Sequence, residues 1–182
     1  MNEIEYAIPK KAFANDIKRV RNLLEMTQKE FARFVGVSVP TIERWESSTN
    51  QIKGPIVVLL DVIENNIDYI NKVKLPKKTF PIRLKYMYNQ KLCTLIDVNE
   101  AKQEIKVYNY TKNIMFRAFG SIENPTFNDY QEFLKSRCFP ETRDKLKLIL
   151  EDLNLPFYDP FLIIQKTQGR MSEDDFWIEI EE

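Results

Sequence analysis

Between Gln28 and Lys53 the chain sets a series of hydrogen-bonding side chains among apolar ones: Gln28, Thr41, Glu43, Arg44, Ser47, Ser48, Thr49, Asn50 and Lys53. Amides, hydroxyls and ammonium groups of this kind suit phosphate oxygens, and a guanidinium can bond both acceptors on the edge of a guanine. The same chain is poorly supplied for catalysis. It has no histidine and only Cys93 and Cys138 as cysteines, so Cys/His zinc sites and histidine-activated nucleophiles are excluded by inventory. The carboxylates Asp159, Glu173, Asp174 and Asp175 could in principle hold a metal or act as acid and base. An acidic run is more often a solvated or helix-capping surface, and we assign no metal site, no cofactor and no enzymatic activity. The two cysteines read as buried thiols.

The polar series sits on elements that can be read from periodicity. IKRVRNLLEM places Ile17, Val20, Leu23 and Leu24 on one helical face. Thr27 and Glu30 form a capping-box pattern ahead of Phe31 and Ala32, and Gly36 offers the positive-φ position that ends such a helix. Ser38 is placed to cap the next helix, with Pro40 in its first turn and Ile42 and Trp45 facing the core. Gly54-Pro55 opens a further apolar helix, IVVLLDVIENNI. Two short helices joined by a tight glycine turn suit either of two tasks, packing inside a helical core or entering a DNA groove.

Residue identity favours the second task. Thr27, Gln28, Glu30, Phe31, Ala32, Gly36, Val37, Ser38, Thr41, Ile42, Trp45 and Glu46 resemble, in type and spacing, the Xre/lambda-repressor-like DNA-binding family. IKGPIVVLL resembles the start of the fourth helix in its antitoxin-type members. The resemblance spans about residues 14 to 70. It implies base contacts from Val39, Pro40, Glu43 and Arg44, and phosphate contacts from Gln28, Thr41, Ser47, Ser48, Thr49, Asn50 and Lys53. It also implies a structural ion pair between Arg21 and Glu46. The family usually has glycine where Ser48 stands, which leaves the loop conformation open. A homodimer is expected, because specific affinity normally needs two recognition helices one turn of DNA apart. Leu59, Leu60, Val62 and Ile63 could form its interface or close the domain's own core.

KVKLPKKT, charged and proline-containing, reads as a linker, which gives domains at 1–73 and 81–182 joined by 74–80. Beyond it, PIRLKYMYNQKLCTLIDV and QEIKVYNYTKNIMFRAF are rich in strand formers and predict a small antiparallel sheet of three or four strands. Helices are predicted at Asn128 to Lys135, Glu141 to Leu153 and Phe161 to Thr167, with a last strand or docking segment around Phe176 to Ile180. The predicted fold class is therefore α+β: an all-α domain of about five helices, then an antiparallel sheet with helices.

Phe133, Leu134, Arg137, Pro140, Arg143, Leu146, Asp159, Gly169, Asp175 and Trp177 resemble the segment preceding the kinase core in HipA-like serine/threonine kinase toxins. Kinase motifs are absent, so the resemblance implies an accessory module that engages a separately encoded toxin of that type, with Arg137, Arg143, Asp175 and Trp177 as partner-binding candidates. The implied function is an antitoxin-like repressor on double-stranded operator DNA. A one-component regulator with a small-molecule effector, or a purely structural or oligomerising C-terminal domain, stay open. Net charge is zero, with 27 basic and 27 acidic residues, so any DNA surface must be local. No apolar run is long enough for a membrane span and no signal peptide is visible, which points to the cytoplasm.

Overall fold

The computed structural model describes residues 6–182, which divide into a unit ending at Lys74 and a second from Leu75 to Glu182. The class is α+β.

The first unit is helical: α1 (Ala14–Leu23), α2 (Gln28–Val35), α3 (Val39–Ser47), α4 (Pro55–Asn65) and α5 (Ile67–Val73). The Thr27 hydroxyl accepts from the Glu30 N–H, and the Glu30 carboxylate accepts from the Thr27 N–H at 2.8 Å, so two of the donors orphaned at the start of α2 are satisfied. Gly36 ends α2 at φ 74, a conformation that costs a glycine little. Ser38 precedes α3 without capping it; its hydroxyl lies 2.9 Å from that of Thr41. Ile17, Val20, Phe31 and Ile42 are completely buried and hold α1, α2 and α3 together. Burial of this kind contributes about 1.5–3 kcal/mol per side chain. An antiparallel bridge between Ala12 and Ile52 pins the segment before α1 to the loop after α3.

The second unit is a four-stranded antiparallel sheet of order β3-β2-β1-β4, from β1 (Ile82–Tyr88), β2 (Lys91–Asn99), β3 (Glu104–Asn109) and β4 (Phe176–Glu181). Asn89, at φ 50, turns the β1-β2 hairpin. Helices α6 (Phe127–Ser136), α7 (Leu146–Asp152) and α8 (Pro160–Thr167) lie between β3 and β4 in sequence. Leu84, Ile96, Tyr130, Ile163, Ile164 and Ile178 are at the centre of this core, and Cys93 and Cys138 are buried in it as free thiols. Arg83 and Asp97 form a buried ion pair, with Nε to Oδ1 at 2.6 Å.

Two local expectations change. The helix predicted from Glu141 begins only at Leu146, because Lys145 adopts a left-handed conformation at φ 58 that interrupts helical geometry. The apolar run after Tyr110 does not extend β3; Ile114–Phe116 forms a single 3-10 turn. From Lys78 on, the stretch read as linker is held by the sheet: Lys78 Nζ donates to the Glu181 carbonyl at 2.9 Å, and Lys106 Nζ lies over the Phe80 ring.

Candidate nucleic-acid interface

The α2–turn–α3 corner presents its polar side chains in two groups. Pro40, Glu43 and Arg44 are exposed on α3, while Ile42 and Trp45 turn toward the core. Val39 stands apart from this exposed set: it is half-buried, with part of its side chain packed against the core. A guanidinium such as that of Arg44 has the fork that can bond a guanine edge, and a carboxylate such as that of Glu43 can accept from a cytosine amino group.

The second group begins at the N-terminus of α2. Gln28 is the first helical residue there, where backbone N–H groups and the helix dipole favour an anion. Its side-chain amide is already engaged, with Nε2 donating to Glu46 Oε2 at 2.8 Å. Glu46 is buried although charged, and its other partner is Arg21, with Nε to Oε1 at 2.7 Å and Nη2 to Oε2 at 3.2 Å. Arg21 Nη1 also donates to the Met26 carbonyl, which ties α1 to the turn before α2. Burial opposes ionisation of Glu46, yet the hydrogen bonds from Arg21 and Gln28 outweigh it and hold the carboxylate below its ordinary range. Arg21 is correspondingly raised, first by its bond to Glu46. The pair between α1 and the end of α3 is thus formed. What residue types did not disclose is that the same carboxylate also holds Gln28.

The loop after α3 carries the remaining candidates. Ser48 adopts extended backbone, φ −76 and ψ 141, so the position demands no glycine, and its hydroxyl accepts from the Asn50 N–H at 3.0 Å. Ser47 bonds back to the Glu43 carbonyl at 2.7 Å, and Thr41 is half-buried with its hydroxyl beside Ser38. Thr49, Asn50 and Lys53 are exposed. Of the apolar residues on α4, Leu60 and Ile63 are buried and Leu59 packs on the same core, whereas Val62 is 49% exposed.

In the second unit the four partner-binding candidates fall in different environments. Arg137 is buried and acts as an internal clamp: Nε and Nη2 donate to the Gly169 carbonyl at 3.0 and 2.8 Å, Nη2 to the Phe176 carbonyl at 3.1 Å, and Nη1 to Asp174 Oδ2 at 2.7 Å. A guanidinium so committed is unfit to meet a partner. The bond from Arg137 holds Asp174 below its usual range. Trp177 is half-buried, donates from its indole N–H to the Asn89 carbonyl at 2.7 Å and lies under Arg170. Arg143 and Asp175 are exposed.

Residues 17–61 match the helix-turn-helix family model, a span that runs from Ile17 within α1 through α2 and α3 to Asp61 within α4. That part of the chain is a helix-turn-helix domain of the Xre/lambda-repressor-like kind. Comparisons with curated proteins and with solved structures return no match. Among the described residues no helix is long and apolar enough to cross a membrane.

Proposed function

We propose, from the helix-turn-helix identity of residues 17–61, that this DNA-binding transcriptional regulator is a sequence-specific cytoplasmic repressor working as a homodimer on double-stranded operator DNA. The observation that carries the reading is the division of labour on the corner. Phe31, Ala32 and Ile42 are buried as scaffold, while Pro40, Glu43 and Arg44 stand clear of it on one short helix. Gln28 and the loop from Ser47 to Lys53 would fix the register on phosphates. The chain catalyses nothing itself on this reading.

The C-terminal unit would hold a separately encoded HipA-like kinase toxin, which makes the whole an antitoxin-like regulator. Of the four candidates, exposed Arg143, Asp175 and the outer parts of Trp177 remain open to such a contact. Selection of bound duplexes from a random-sequence pool tests the first part: a recovered motif is expected, and an unselected pool would defeat sequence-specific repression. Co-expression with the adjacent reading frame tests the second, with a stable stoichiometric complex as the expected outcome. A lone protein whose melting shifts with a small metabolite would replace the toxin reading with that of a ligand sensor.

A further inference from the structure

Strand β4 is an edge of the sheet, and its exposed side is only partly covered. Along that side the Phe176 carbonyl accepts from Arg137 and the Ile178 N–H donates to the Gln168 carbonyl at 2.7 Å. Strand periodicity turns the Ile178 carbonyl and both backbone groups of Ile180 the same way. Among the described residues none of these three has a partner. Beside them a groove of about 430 Å³ runs between α8 and β4, walled by Ile164 and Ile180 and rimmed by Gln165, Gln168, Glu179 and Glu182. An unpaired strand edge facing a helix across an apolar floor is a template for strand addition.

We infer that this groove docks an extended, lysine- or arginine-bearing segment of a protein partner, which joins the sheet as a fifth strand beyond β4. Charge decides the occupant. The groove is lined by two carboxylates and no basic residue, and the final segment Ser172 to Glu182 holds six acidic residues and no basic one. Lys85 bonds Glu179 at 2.7 Å and lies 3.6 Å from Glu181, while Glu182 is bonded to Gln165 and pairs with no cation among the described residues. A second copy of the same edge would set carboxylate against carboxylate, which disfavours self-pairing. Backbone pairing would supply the register, and the Ile164–Ile180 floor would take every second side chain of the incoming strand. The inference rests on the reading of the C-terminal unit as partner-binding and names the surface.

The test uses the full-length, ¹⁵N-labelled chain titrated with a short capped peptide of alternating lysine and valine, against the glutamate and valine counterpart. Amide shifts centred on Ile180, Gln165 and Gln168 are expected with the lysine peptide and not with the glutamate peptide. Ile180→Pro removes the outward donor where an edge strand tolerates proline, and should abolish the shifts. Glu182→Lys keeps the backbone intact and should weaken the lysine peptide about tenfold while favouring the glutamate peptide. Absence of shifts, equal response to both peptides, or shifts confined to other surfaces overturns the groove. Should a kinase-type partner co-purify unimpaired with Glu182→Lys and Ile180→Pro, the groove fails and the partner reading stands; peptide binding without such a partner leaves the groove standing and removes the partner's identity.

Discussion

Glu46 is a single carboxylate with two tasks, holding Arg21 on α1 and Gln28 at the start of α2. Its ionisation is easier in the folded chain than in the unfolded one, so the stabilisation it gives is complete above the ordinary carboxylate value of about 4.3. It is lost as pH falls through the lower folded value. Glu46→Gln should therefore cost about 1–3 kcal/mol at neutral pH, the size expected for a charge-assisted bond lost from a buried site. Urea unfolding at pH 7 and in strong acid checks this: the gap between wild type and variant should close in acid, where both carry a neutral side chain. A gap that is unchanged would show packing, not charge, as the cause. The other residue-scale difference lies between Arg44 and Gln28. Arg44→Ala should relax sequence preference and cost about 1–3 kcal/mol on the selected duplex alone, whereas Gln28→Ala should weaken specific and random duplexes alike. Competition binding with both duplexes separates the two outcomes.

At the scale of elements, the last strand depends on Arg137, which gathers the Gly169 carbonyl, Asp174 and the Phe176 carbonyl around one planar fork. A lysine has the charge without the fork. Arg137→Lys should destabilise the C-terminal unit by about 2–4 kcal/mol, read as faster hydrogen exchange at β4 amides. Gly169→Ala strikes the same junction from the backbone, because φ is +59 and an added Cβ would sit 3.2 Å from Ile178 Cδ1 and 3.3 Å from Arg137 Cβ. These contacts also explain what could be read in advance. The Thr27–Glu30 box, Gly36 and the period of Ile17, Val20 and Leu24 are local signals that place α1, α2 and the turn, although Leu23, read onto the same apolar face, is 50% exposed at the end of α1. Alternating β-branched and aromatic residues likewise reveal the strands. Arg137 looked like a surface cation because its acceptors are distant in sequence, and the partial burial of Val39 comes from tertiary packing that no local signal announces. The early start assigned to α7 failed for a related reason: Pro140 and Glu141 make a plausible helix opening, and nothing local announces the left-handed Lys145.

At the scale of the molecule, balanced charge constrains how DNA can be held. With 27 basic and 27 acidic residues there is no general attraction to a polyanion, and the proposed reading places the affinity in the corner and its loop. Most of the candidate phosphate ligands there are neutral: Gln28, Thr41, Ser47, Ser48, Thr49 and Asn50, with Lys53 as the cationic exception. Neutral donors position the backbone without displacing counterions as a lysine or arginine does, and the salt dependence of binding falls with the number of phosphates so neutralised, by about 0.9 per contact in the logarithmic slope. One copy should therefore show a slope of only about −1 to −2, and two copies on one duplex about twice that. One recognition helix with a single guanidinium is also a weak reader, so two half-sites spaced by about one helical turn, 34–36 Å, should bind far more tightly than either alone. Titration of a duplex with both half-sites, at several salt concentrations and with stoichiometry from sedimentation, addresses both expectations. Two chains per duplex with a shallow slope is the expected result. A steep slope with one chain bound would locate the affinity in a basic surface outside the corner and would overturn the dimeric reader.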